Sequence, residues 1–139
     1  MKEILLATTF KLKDSHLEAI EKTYLKRLTF PKISIHEVKN EEKLCELAKG
    51  SYFICLCEGG EQFNSVDFSN WLYPLWESHK KIVFAISSAE GFNKATLEQA
   101  NLTLSLSPLT YPHKLARIIL LEQLYRAQSI YQNHPYHNE

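Results

Sequence analysis

Two stretches of this chain are apolar at almost every position over the length of a single β-strand. They are residues 52–57, YFICLC, and residues 81–86, KIVFAI. A strand with one face in water alternates apolar and polar side chains, whereas a strand that is apolar throughout is covered on both faces. The two stretches therefore predict an α/β fold whose sheet is mostly parallel and lies between two layers of helices.

The rest of the chain alternates between strand and helix patterns. Further strands are predicted at residues 2–8, 33–38 and 102–106, and helices at 15–28, 41–49, 65–79 and 94–100, with a long amphipathic helix after Tyr111. Strands that alternate with helices favour a parallel sheet with helices on both faces.

Particular residues mark where these elements begin and end. Ser15 and Glu18 have the spacing of a capping box, and Gly50 is expected to end the second helix. Pro74 should kink or divide the third helix, because proline lacks the backbone donor. Gly59 and Gly60 are expected to break the strand at 52–57. Asn93 is expected to cap a helix, and Pro112 is expected at the first position of the last helix.

Three loops follow the predicted central strands, at residues 56–60, 86–91 and 106–113. In open α/β sheets, ligands bind in the crevice beyond the carboxyl ends of the strands. The sequence therefore predicts a binding site at these three loops.

Length and composition restrict the class of protein. The chain has 139 residues, 45% of them hydrophobic and 23% charged, so we expect one globular domain covering residues 1–139. No apolar run has the length of a membrane span and no secretory signal is recognisable, so a cytoplasmic location is expected. Cys45, Cys55 and Cys57 are odd in number, and the last two are expected to face the core as thiols, which makes a metal site unlikely on spacing grounds.

The charges balance, with 16 Lys plus Arg against 16 Asp plus Glu. Indiscriminate nucleic-acid binding relies on a positive field, so a neutral chain argues against it. A local patch is still compatible with neutrality. Lys114, Arg117 and Arg126 on the last helix fit either an RNA-facing patch or an ordinary solvated side.

The C-terminal third carries an ordered set of motifs. It contains SLSPLTYPH at residues 105–113, then Arg117, EQLYRA at 122–127, Ile130 and PYH at 135–137. This set resembles the ribosomal RNA large-subunit methyltransferase H family of the SPOUT superfamily. The similarity in length and element order covers the whole chain, and the specific motifs lie mainly from Ser105 onward.

The resemblance implies a fold, a cofactor, partners and an activity. Members of that family are homodimers whose C-terminal trefoil knot binds S-adenosylmethionine, and they methylate N3 of a pseudouridine in 23S rRNA on the assembled ribosome. The resemblance also implies which residues bind the cofactor. They are Leu56, Ser87, Gly91, Leu106, Ser107, Pro108, Leu109, Thr110, Tyr111 and His113.

The resemblance further implies that the tail approaches the methyl donor, with Tyr136, His137 and Arg126 as catalytic candidates. Pseudouridine N3 is a weakly acidic imide nitrogen, so methyl transfer needs either a base or a positive charge that stabilises the anion. Judged by the residues alone, His137 also fits an ordinary exposed histidine. The apolar residues of the last helix fit either the core or a dimer interface.

Two positions depart from the family pattern. Ser87 and Ser88 stand where the family has a pair of glycines, and Asn138 stands where a basic residue is usual. Either the serine hydroxyls turn away from the cofactor, or affinity is reduced, because serine restricts the backbone more than glycine does. The alternative functions are a ribosome-binding dimer with weakened or lost cofactor binding, and a small-molecule methyltransferase on the same scaffold.

Overall fold

The computed structural model describes residues 2–138, and within them strands and helices alternate as predicted. The strands are β1 (Glu3–Thr8), β2 (Ile33–Glu37), β3 (Tyr52–Glu61), β4 (Lys81–Ile86) and β5 (Leu102–Leu104). The helices are α1 (Ser15–Arg27), α2 (Glu41–Ala48), α3 (Ser65–Ser78), α4 (Lys94–Gln99) and α5 (His113–Tyr131).

The strands form one sheet in the order β2-β1-β4-β3-β5, and each of the pairings in the described sheet is parallel. The all-apolar strands β3 and β4 lie inside the sheet, next to each other, as their composition predicts. Parallel neighbours place their carboxyl ends at the same edge, so the loops that follow β3, β4 and β5 meet there.

Successive side chains along each strand enter different layers of the core. Leu6 and Phe84 belong to the layer beneath α3 and α5, whereas Leu5 and Val83 belong to the layer beneath α2 and α4. This alternation follows from the two-residue period of a strand. It confirms that helices cover both faces of the sheet.

Helix α5 supplies much of the first layer. Leu120 and Leu121 are fully buried and Leu124 is almost so. Full burial of a leucine side chain contributes about 1.5–3 kcal/mol. The helix packs on both α1 and α3. Its contact with α1 joins the C-terminal part of the chain to the N-terminal part.

At the starts of two helices, the predicted roles of boundary residues were wrong by one position. Asp14, not Ser15, caps α1, and its carboxylate accepts backbone N–H groups from His16 at 3.0 Å and Leu17 at 3.1 Å. A carboxylate is favoured there because the helix N-terminus is positive, and the hydrogen bond from Leu17 lowers the pKa of Asp14. Pro112 is the residue before α5 rather than its first residue.

The other boundary predictions had mixed outcomes. Asn93 caps α4 and Gly50, with φ +77°, follows α2, as predicted. Pro74 does not divide α3, which runs unbroken from Ser65 to Ser78. The glycines Gly59 and Gly60 do not end β3, which bulges after Leu56 and returns to pair with β5 at Glu61.

Strand β5 is two residues shorter than predicted and ends at Leu104. Among residues 2–138, no helix combines the length and apolar character that crossing a membrane requires. The same residues contain no group of three or more histidine, cysteine, aspartate or glutamate side chains placed to hold a metal ion.

Candidate functional site

The loops that follow β3, β4 and β5 enclose a cleft of about 890 Å³ at the carboxyl edge of the sheet. Apolar side chains from all three strands form much of its wall, among them Leu56, Ile86 and Leu104. This is the position at which a parallel sheet offers converging loop backbones to a ligand. The first turn of α5 closes one side, where His113 and Ala116 line the cleft.

The structure brings together nearly all the residues to which the sequence assigned cofactor binding. Pro108 belongs to the same loop but does not line the cleft. The predicted residues that line the cleft are Leu56, Ser87, Gly91, Leu106, Ser107, Leu109, Thr110, Tyr111 and His113.

The loop after β4 forms a tight turn around its serines. The Ser87 hydroxyl donates to the Ser88 carbonyl at 3.1 Å, and the Gly91 N–H donates to the same carbonyl at 3.0 Å. Gly91 has φ +81°, in the region that favours glycine, whereas neither serine has a positive φ. The backbone of Ser87 and Ser88 therefore does not require glycine.

Serine side chains also fix the loop after β5. The Ser105 hydroxyl is buried and donates to the Ser107 carbonyl at 2.9 Å, while the Ser107 hydroxyl accepts the Leu109 N–H at 2.9 Å. These local bonds hold the backbone in a turn. They leave the Leu109 side chain 72% exposed at the mouth of the cleft.

Some cleft residues were missed from the sequence. Cys57, expected in the core, is half-buried and lines the cleft, because β3 bulges after Leu56. Cys55 does face the core, and burial raises the pKa of its thiol to about 12. Glu58 lies in a predicted loop and could have been found from its position alone, whereas the bulge carries no sequence signal that we recognise.

The three catalytic candidates lie together, but not at the cleft of their own chain. The Tyr136 hydroxyl donates to Glu122 Oε2 at 2.5 Å, and Arg126 Nε donates to Glu122 Oε1 at 2.9 Å. Arg126 Nη1 lies 3.0 Å from His137 Nδ1. The tail is thus docked on α5, and within residues 2–138 none of the three candidates lines the cleft.

Contacts within the docked tail fix the roles of its polar groups. The hydrogen bond to Glu122, together with partial desolvation, raises the pKa of Tyr136 to about 12, so its hydroxyl keeps its proton at neutral pH. A guanidinium can only donate, so His137 Nδ1 is the acceptor in its contact with Arg126.

Arg117 does not belong to an exposed basic patch, which corrects both interpretations of the last helix. It is 2% exposed and pairs with Glu21 at 2.6 Å and Glu37 at 2.9 Å. Burial alone would lower the pKa of the guanidinium, but the hydrogen bonds to these carboxylates raise it. Lys114 is half-buried, and Arg126 is engaged with Glu122.

The fold is a parallel α/β sheet with a cleft at the carboxyl ends of its strands, and the motifs of the C-terminal third border that cleft. A family model described as "Predicted SPOUT methyltransferase" matches residues 1–137, and the chain belongs to this family.

The similarity extends to particular relatives. The chain is 43% identical over 136 residues to the ribosomal RNA large subunit methyltransferase H of Prochlorococcus marinus strain SARG, with 93% of this chain and 91% of that protein covered. It is 45% identical over 114 residues to the protein of the same name from strain MIT 9301, with coverage of 82% and 80%.

A solved structure shares the fold. The SpoU methyltransferase AviRb of Streptomyces viridochromogenes, determined in complex with AdoMet, superposes with a TM-score of 0.53 at 12% identity. The superposition covers 91% of this chain and 58% of AviRb. At that identity the likeness is one of fold.

Proposed function

We propose that this protein is an S-adenosylmethionine-dependent methyltransferase that modifies N3 of a pseudouridine in 23S rRNA on the assembled ribosome. The relatives with 43% and 45% identity carry the name of a large-subunit rRNA methyltransferase. The observation that carries the proposal is the convergence of the predicted cofactor residues on one cleft. A ribosomal substrate also implies a cytoplasmic location.

The cleft has the properties of a cofactor site. Its volume of about 890 Å³ lies in the range of small-molecule pockets, and an apolar wall with loop backbone at one edge suits an adenosine group. Leu56, Ile86 and Leu106 would contact the adenine ring of the cofactor. The turn at Ser87 and the backbone of residues 107–110 offer polar groups. S-adenosylmethionine, when bound, supplies an activated methyl group, so the protein has to orient the reactants and assist loss of the N3 proton.

The tail supports a site shared between two subunits. Tyr136, His137 and Arg126 lie away from the cleft of their own chain, so we propose that a second copy presents its tail to this cleft in a homodimer. Arg126 would stabilise the developing imide anion by its charge. Tyr136 and His137 would approach the methyl donor and the target base, with Tyr136 held in place by its hydrogen bond to Glu122.

A subunit-mixing experiment tests the shared site. One variant ends after Asn133 and lacks the tail, and the other carries Leu106→Trp, which fills the cleft. Each alone should be inactive on ribosomes that lack the methyl group. About half of the dimers formed on co-expression would be hybrids, and each hybrid would have one intact site of its two. Co-expression should therefore restore about a quarter of wild-type activity. No recovery on mixing, with both variants folded, would contradict a shared site.

The rival function, a ribosome-binding dimer without turnover, is separated by calorimetry. Wild-type protein should bind S-adenosylmethionine, because the serines fit the loop without positive φ. The rival would be favoured if wild-type protein gave no heat of binding at millimolar S-adenosylmethionine and the combined replacement Ser87→Gly and Ser88→Gly gained affinity. Mass spectrometry of rRNA from a deletion strain then tests the substrate, since an unchanged methyl pattern would favour a small-molecule substrate.

A further inference from the structure

The buried Arg117 on α5 contacts three segments that lie 80 or more positions earlier in the chain. Its Nε and Nη2 donate to the two carboxylate oxygens of Glu21 on α1, at 2.6 and 2.9 Å. Its Nη1 donates to Glu37 at the end of β2, at 2.9 Å. The same nitrogen reaches the end of β1 and the segment that follows it, at 3.3 Å from Thr8 Oγ1 and 3.4 Å from the Phe10 carbonyl.

Residues 8–10, the last residue of β1 and the two that follow it, contact two walls of the cleft. The hydroxyl of Thr9 accepts the backbone N–H of Ser88 at 3.3 Å, so it supports the loop after β4. The ring of Phe10 meets the ring of His113 edge to face, with centroids 4.5 Å apart, at the first turn of α5. Neither Thr9 nor Phe10 lines the cleft.

The guanidinium geometry suits a brace of this kind. Arginine donates in several fixed directions at once, which lets one side chain hold a carboxylate, a second carboxylate and a loop. Lysine has a single nitrogen and cannot reproduce the paired bonds to Glu21. Arg117 also lies one helical turn after His113, so the brace and the wall it supports are on the same rigid element.

We infer that Arg117 is a positioning residue that holds residues 8–10 between the loop after β4 and His113, and so sets the spacing of two walls of the cleft. Its effect on catalysis rests on the proposed function, whereas its effect on loop order does not. Arg117 acts through Thr9 and Phe10, without touching the cofactor.

Hydrogen exchange of the apo protein tests the brace directly. In Arg117→Lys, which keeps the charge, the amides of residues 87–91 should exchange about 2- to 30-fold faster than in wild type, the range found for mutations along coupled networks. The matched control is Leu124→Ala, a buried truncation two turns further along α5, which should lower global stability without selective loss at 87–91. Equal exchange at 87–91 in Arg117→Lys and the control would overturn the inference.

A second pair of variants keeps the test independent of the buried charge. Thr9→Val removes the acceptor for Ser88 N–H, and Thr9→Ser retains it. Thr9→Val should weaken S-adenosylmethionine binding about 2- to 30-fold, and Thr9→Ser should bind as wild type does. When Thr9→Val is combined with Arg117→Lys, the loss of binding free energy should be smaller than the sum of the two single losses. Full additivity would contradict a common path. If wild-type protein binds no cofactor, the proposed function fails, while the exchange result still decides the brace.

Discussion

Gly60 provides a sharp test of how β3 meets β5. A Cβ atom added there would lie 2.6 Å from the carbonyl carbon of Thr103 and 2.7 Å from the nitrogen of Leu104. Both atoms belong to the backbone of β5, which cannot rotate away as a flexible side chain can. At Gly59, by contrast, an added Cβ meets nothing within 4 Å. The two adjacent glycines therefore form a matched pair.

The size of the effect follows from this geometry. Ordinary contact begins at 3.4 Å, so Gly60→Ala has to separate the strands by roughly 0.8 Å or distort the bulge. Overpacking of this kind costs about 1–3 kcal/mol, and we expect about 3 because the obstacle is backbone. For a chain of this length, that is a fall in Tm of about 10 °C. Gly59→Ala should stay within about 0.5 kcal/mol of wild type.

Urea denaturation followed by circular dichroism measures both variants against wild type. The loss of backbone freedom in the unfolded chain is the same for each glycine, so the difference between the variants isolates the clash. If Gly60→Ala unfolds at the same urea concentration as Gly59→Ala, the close approach of β3 and β5 is not as described. Because β5 leads into the loop at 105–110, Gly60→Ala should also weaken cofactor binding.

Alkylation with iodoacetamide at pH 8, measured by mass spectrometry, should leave Cys55 unmodified, because its pKa of about 12 keeps it as a thiol. Cys57, which lines the cleft, should be labelled, and S-adenosylmethionine should protect it. Spectroscopic titration should show a tyrosine that titrates at about pH 12 and is lost in Tyr136→Phe, whereas Tyr73, whose pKa is also raised by burial, should titrate late in both proteins. The pKa of Tyr136 is raised to about 12 by Glu122, so the stabilising bond is intact below about pH 10 and is lost as the pH rises through about 12. Asn93→Ala removes the side chain that accepts the Thr96 N–H at 2.8 Å and should cost about 1 kcal/mol in urea denaturation, whereas Asn93→Asp should cost little.

Much of the fold was predictable from local pattern. The all-apolar runs at 52–57 and 81–86 identified strands inside the sheet, and alternation with helices gave its parallel character. The position of the cleft followed from the rule that ligands bind at the carboxyl ends of parallel strands. The resemblance in the C-terminal third identified the loop residues, most of which line that cleft.

Two of the errors, at Arg117 and Gly60, share a cause. Arg117 looked like a surface cation, because its burial depends on Glu21 and Glu37, which lie 96 and 80 positions away in the chain. Gly60 looked like a strand terminator, because its contact with Thr103 exists only once β3 and β5 are paired. A single sequence contains no periodicity that reports such contacts.

The sequence by itself determined the layers of the protein, since continuous apolar runs indicate strands covered on both faces and the 3.6-residue period of a helix indicates which of its faces is buried. Tertiary structure alone decided which loops meet, where the bulge after Leu56 places Cys57, and that the tail docks on α5 rather than at its own cleft. The pattern of apolar residues reports which face of a single helix or strand is buried, whereas these contacts depend on the order of the strands in the sheet. The order β2-β1-β4-β3-β5 is settled only when all the strands pack together.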